Sequence, residues 1–167
     1  MNATIMPTVR WMIKGDFRAV LEIERQSFDE PWTENDFVQS LQNKNHRGTA
    51  MGMVHETVAD DGLIKVDGFM VYILEPGAIR LINLAVAPES RRNGVGRALL
   101  DRLRGKLAGA RRRKCVTAVV RETNLDAHLW FRACGWEAIK VIRLDEWGED
   151  GIVFVARAKS PARIPIT

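Results

Sequence analysis

The sequence predicts an α/β fold in which a mixed, mostly antiparallel sheet is flanked by about four helices. Two observations carry this expectation. Apolar runs of strand length are interspersed with amphipathic stretches of helical period. Along the chain they give strand, two helices, three strands, helix, strand, helix and two strands, an order that mixes hairpin neighbours with crossover connections. At 167 residues the chain suits one domain with a sizeable core, residues 1–159, followed by a loose tail, 160–167, with two prolines.

Residues 7–13 read as a short first strand. Asp16 is placed to cap a helix whose apolar positions are Val20, Leu21, Ile23 and Phe28. The breaker Asp29-Glu30-Pro31 precedes a second helical start, with Thr33 as its cap and Phe37, Val38 and Leu41 on its apolar face; residues 43–48 close it. Residues 49–58 and 64–75 read as strands joined by an Asp60-Asp61-Gly62 turn, and Glu75-Pro76-Gly77 turns into an apolar central strand, 79–86. Pro88 ends that strand. Val95, Leu99, Leu103 and Leu107 then recur at i+4 and define the next helix. Residues 114–120 read as a strand buried on both faces. Asn124 starts a helix carrying Leu125, Leu129 and Phe131, which Gly135 stops. Residues 136–144 and 151–158 form a last pair around a turn that holds Asp145, Glu146, Glu149 and Asp150.

No run approaches the roughly 18 apolar residues of a membrane span, and no long apolar leader opens the chain. Cys115 and Cys134 are its only cysteines and read as free thiols in a reducing cytoplasm. No Cys/His spacing suggests a metal site. The net charge of +4 suits an anionic ligand or a ribonucleoprotein partner. Much of the charge lies in residues 91–113, where a coenzyme phosphate site would use it equally well, so charge does not choose between them; direct nucleic-acid binding is not expected.

The stretch Arg91-Arg92-Asn93-Gly94-Val95-Gly96 between central strand and helix has the parts of an anion site. A helix start leaves backbone N–H groups unpaired, glycine lets an anion approach them, and arginine adds charged donors. No Gly-Lys-Ser/Thr follows, and Leu99 stands where a dinucleotide fingerprint needs its third glycine. On these residues alone, phosphate binding and a merely tight strand–helix turn remain equal readings.

The same stretch resembles the Arg/Gln-x-x-Gly-x-Gly/Ala signature of the GNAT superfamily of N-acetyltransferases. Pro31-Trp32-Thr33-Glu34-Asn35-Asp36-Phe37 after Ile23-Glu24, Val120-Arg121-Glu122-Thr123-Asn124, and Phe131-Arg132-Ala133-Cys134-Gly135-Trp136 are similar to segments of RimI-type ribosomal-protein-alanine N-acetyltransferases. The resemblance implies a sheet that splays at the coenzyme site. It implies acetyl-coenzyme A as cosubstrate, held by Leu84, Ala85 and Val86, by Arg91, Arg92, Asn93, Gly94, Val95, Gly96 and Arg97, and by Asn124 and Phe131. Trp32 and Asn83 would face the acceptor, a protein N-terminus and in particular that of a ribosomal protein. The alternatives are a small-molecule amine acetyltransferase and a catalytically impaired coenzyme-binding module.

The resemblance also exposes departures. The family's usual base falls on Val119, its usual acid on Phe131, and a central-strand position that is acidic or tyrosine in some relatives is Arg80. The catalytic residues stay unassigned; candidate replacement proton carriers are Tyr72, Glu122 and Glu146, with Glu30 and His55 behind them. A base-poor site fits an α-amine: with a pKa near 7.8 it is roughly a quarter neutral at pH 7.4, against about 0.1% for lysine. That ratio corresponds to about 3.4 kcal/mol of base catalysis.

Overall fold

The computed structural model describes residues 7–42, 50–109, 112–144 and 148–158. Seven strands form one sheet in the order β1-β2-β3-β4-β5-β7-β6. They are β1 (Thr8–Trp11), β2 (Ala50–Val58), β3 (Ile64–Leu74), β4 (Ala78–Val86), β5 (Cys115–Arg121), β6 (Glu137–Leu144) and β7 (Glu149–Arg157). Four helices cover it: α1 (Phe17–Ser27), α2 (Glu34–Gln42), α3 (Val95–Gly105) and α4 (Leu125–Ala133). The β4–β5 pair is parallel and the other five pairs are antiparallel. The predicted order and the mixed sheet are therefore those of the molecule.

Side-chain alternation divides the core into two layers. Phe69, Val71 and Ile73 of β3 point to α1 and α2, where they meet Val20, Ile23 and Phe37. Met70 and Tyr72 point the other way, to Leu99 and Leu103 of α3. The start of α2 is fixed locally: Thr33 Oγ1 accepts the Asp36 N–H at 3.3 Å, and the Asp36 carboxylate accepts the Thr33 N–H at 2.7 Å. This is a reciprocal cap with aspartate in the usual glutamate place.

Two local expectations change. Asp16 stands just before α1 without capping it; its carboxylate turns back to the Ile13 N–H at 2.8 Å and to the Arg10 guanidinium at 2.8 and 2.9 Å. A bidentate arginine–carboxylate fork offers two bonds between opposite charges, where the cap would offer one to a backbone amide. β5 is buried on one face only. Val116, Ala118 and Val120 enter the core, while Val119 is 41% exposed.

The exposure of Val119 follows from the register. β5 pairs with β4 only from Ala78 to Leu81, opposite Cys115 to Ala118. Val71 lies opposite Asn83 and Tyr72 opposite Leu81, so Ile82 is an extra residue, a β-bulge. Beyond it the two parallel strands part, leaving one edge of β4 unpaired. Residues 43–48, the tail from 160 onward and Glu146 lie outside the described residues.

Candidate functional site

Where β4 and β5 part, a cleft of about 690 Å³ opens. Ile82, Asn83 and Leu84 form one wall and Val119 to Arg121 the other. α4 contributes Asn124, Ala127, Trp130 and Phe131, and the end of α1 with the loop after it contributes Glu24, Phe28, Glu30 and Trp32.

Glu24 is the cleft residue that the sequence reading left without a role. It is 1% exposed. One carboxylate oxygen accepts the Trp32 N–H at 2.9 Å and the other accepts Nδ2 of Asn83 at 3.1 Å. Burial raises its pKa above the ordinary carboxylate value, and the two hydrogen bonds counter only part of that rise. The signal was present in the spacing: Glu24 follows Val20 by four residues, so it falls on the buried stripe of α1. A carboxylate on an apolar stripe has to be explained.

The loop before α3 has the shape of an anion cradle. Gly94 has φ +82° and Arg92 has φ 64°. The Ala98 N–H donates to the Gly94 carbonyl at 2.9 Å, so the amides just before it have no partner in the helix. A Cβ on Gly94 would meet nothing within 4 Å, which leaves the approach open. Gly96 is small for another reason. A Cβ there would stand 2.7 Å from Cζ2 of Trp130, so this glycine lets α4 pack on α3.

The arginines divide their work. Arg91 donates from Nε to the Val86 carbonyl and from Nη2 to Ser27 Oγ, both at 3.0 Å. Arg97 reaches the Ala133 carbonyl at 3.3 Å. Both tie the loop to its neighbours, while Arg92 and Asn93 are exposed. Leu84 faces the cleft, Ala85 is buried on the α1 side, and Val95 is buried in the core. Asn124 caps α4 by accepting the Ala127 N–H at 3.2 Å and also lines the cleft. Phe131 packs on Trp136 and Phe154 and also lines the cleft.

The replacement proton carriers scatter. Tyr72 is fully buried under α3, away from the cleft lining; its hydroxyl has no partner, and burial pushes its pKa up to about 12. Glu122 is exposed outside the cleft lining. His55 is buried outside the cleft lining, with Nδ1 2.6 Å from the Asp67 carboxylate. Glu30 sits on the cleft rim, 3.6 Å from Arg121, whose other end lies 3.6 Å from Glu149. Among the described residues no group of three or more His, Cys, Asp or Glu is placed to hold a metal ion, and no helix is long and apolar enough to cross a membrane.

The sequence model of the Acetyltransferase (GNAT) family matches residues 8–136. No curated protein matches the sequence. Solved structures share the fold. The ribosomal-protein-S18-alanine N-acetyltransferase from Escherichia coli superposes with a TM-score of 0.69 at 23% identity, covering 97% of this chain and 100% of that one. Ard1 from Thermoplasma volcanium gives 0.73 at 19% identity over 93% and 100%. Arabidopsis thaliana Naa50, solved with the bisubstrate analogue CoA-Ac-MVNAL, gives 0.68 at 15% identity over 91% and 99%.

Proposed function

The chain belongs to the GNAT acetyltransferase family, and from that premise we propose that it transfers the acetyl group of acetyl-coenzyme A to the N-terminal α-amine of a protein. The observation that carries this reading is Glu24, a buried carboxylate held on the cleft by Trp32 and Asn83. Burial raises its pKa above the ordinary carboxylate value, the direction that strengthens a general base.

The coenzyme fits the features of this chain. The amides around Gly94 would take its diphosphate, and the unpaired edge of β4 at Leu84, Ala85 and Val86 would hold its arm and donate to the thioester oxygen. Arg91 and Arg97, tied to Val86 and Ala133, would shape the cradle, leaving Arg92 as the guanidinium available to phosphate. Asn124 and Phe131 line the cleft along α4.

On the acceptor side Trp32 and Asn83 position Glu24. Glu24 takes a proton from the amine as its nitrogen bonds to the thioester carbon; the carbon–sulfur bond breaks and the coenzyme leaves as a thiolate. That leaving group has an ordinary thiol pKa and needs only modest help from an acid. An α-amine, far more neutral than lysine at cellular pH, asks correspondingly little of the base. The RimI-like segments favour a ribosomal-protein acceptor met in the cytoplasm, and a bisubstrate analogue with a peptide moiety on Naa50, a protein of the same fold, supports a peptide acceptor.

The test is thiol release from acetyl-coenzyme A with short peptides whose N-termini are free or blocked, from pH 6.5 to 9. Release that requires the free N-terminus is expected. Release with small amines but no peptide would replace the protein acceptor by a small molecule, and coenzyme binding with no release would leave a binding module.

A further inference from the structure

Ten of the 25 lysines and arginines, and one of the 21 aspartates and glutamates, fall between residues 91 and 114. The structure adds a fact that the composition does not hold. Among the described residues none of these cations is within ion-pair distance of a carboxylate, whereas Arg10, Arg25, Lys65, Arg80, Arg121 and Arg157 all are. Uncompensated like charges repel one another and disfavour the compact state.

The coenzyme accounts for one end of this block only. α3 has 11 residues and therefore runs about 16 Å. Arg102, Lys106, Arg112 and Arg113 belong to its far end or follow it, a helix length from the amides at Gly94. Arg102 and Lys106 are four residues apart and share a face. Lys106 Nζ stands 4.5 Å over the ring of Trp11, which is 46% exposed. The Nε groups of Arg104 and Arg113 are anchored on the carbonyls of Arg157 at 2.8 Å and Glu75 at 2.9 Å, leaving their Nη groups without a protein partner. The negative end of the α3 dipole explains cations in its last turn; it does not reach Arg112, Arg113 or Lys114.

Lys106 over the exposed indole, with Arg102 one turn away on the same face of α3, makes a surface suited to single-stranded nucleic acid, with phosphates on the cations and a base against the exposed part of the ring. An acidic protein would use the charge and gain nothing from the ring. We propose that the C-terminal end of α3, with Trp11 and residues 112–114, docks single-stranded RNA. The choice of RNA rests on the proposed protein acceptor, because an α-amine is first presented at the ribosome; the polyanion surface itself stands without that reading.

The test is fluorescence anisotropy of the whole protein with a 20-nucleotide RNA across salt concentration, with Arg102→Glu/Arg112→Glu and the neutral Arg102→Gln/Arg112→Gln as variants. Wild type is expected to bind, alike with and without saturating coenzyme A, and equally to a DNA strand of the same sequence. Losing two phosphate contacts makes the log–log salt slope shallower by about 1.4; both variants should melt no lower than wild type and keep its peptide turnover. Absence of binding at 50 mM salt, displacement by coenzyme A, an unchanged slope in both variants, or equal binding to polyglutamate or anionic vesicles would each overturn the proposal. RNA binding that behaves as described while no peptide is acetylated would retain the surface and remove the N-terminal acceptor.

Discussion

Asn83 donates from Nδ2 to Oε2 of Glu24 across 3.1 Å, joining the middle of α1 to β4 one residue past the bulge at Ile82. The Trp32 amide holds the other oxygen, so two donors from different segments fix one carboxylate. Burial disfavours its charged form and the two donors favour it. The balance leaves a base that holds its proton to higher pH than a solvated glutamate and has no freedom to turn away.

Glu24→Gln tests the role directly. Its kcat/KM is expected to fall by about 10²- to 10⁴-fold, with the fold retained because glutamine fills the same space. The wild-type rate should rise with pH as Glu24 loses its proton, along a limb above the ordinary value of 4.5, and the variant should lack that limb. A variant that keeps both limb and rate would remove Glu24 from the chemistry. Stability carries the opposite sign. A carboxylate whose folded pKa is raised contributes stability that is complete below the unfolded pKa and is lost as pH rises through the folded one. Thermal melts from pH 4 to 7 should show that loss in wild type and not in Glu24→Gln.

Gly96→Ala should destabilise the fold by about 1–3 kcal/mol, since the new methyl lands 2.7 Å from Trp130 in a closely packed seam. Denaturant melts of Gly96→Ala, Trp130→Leu and the double variant separate the causes. A double variant more stable than the sum of the singles predicts places the conflict on the indole. Strict additivity would place it in the backbone.

These residues show which parts of the molecule were legible in the chain. The Thr33–Asp36 cap, the α3 stripe and the glycine turn at Gly94 are decided within a few residues, so spacing reveals them. The exposure of Val119 is decided by where β4 stops pairing with β5, a matter of register between distant strands that its own apolar run cannot express. Gly96 was visible as a glycine beside an anion loop; its constraint comes from α4. Arg91 read as a phosphate donor from the loop alone; its bonds to the Val86 carbonyl and Ser27 Oγ depend on segments the loop cannot show.

Gly94→Glu should abolish coenzyme binding, because the open space at this helix start would receive a carboxylate where the proposed diphosphate belongs. Gly94→Ala is the control for backbone strain. At φ +82° it costs on the order of 1–3 kcal/mol of stability while adding no charge. Isothermal titration with coenzyme A should show binding lost in the first and kept within a few-fold in the second. Unchanged affinity in Gly94→Glu would remove the loop from the coenzyme site.

Tyr72→Phe separates a buried phenol from a catalytic one. The hydroxyl has no hydrogen-bond partner and lies beneath α3, away from the cleft lining, so its removal takes away a desolvated polar atom and leaves the ring packed. Turnover should equal wild type, and the melting temperature should hold or rise. The pKa pushed up to about 12 adds a signed effect: the tyrosine contributes stability that is complete below its unfolded value of 10.0 and is lost as pH rises toward 12. The variant should therefore lose less stability than wild type between pH 10 and 12. A fall in turnover with an unchanged melt would return Tyr72 to the mechanism and mean that α3 moves to admit the substrate.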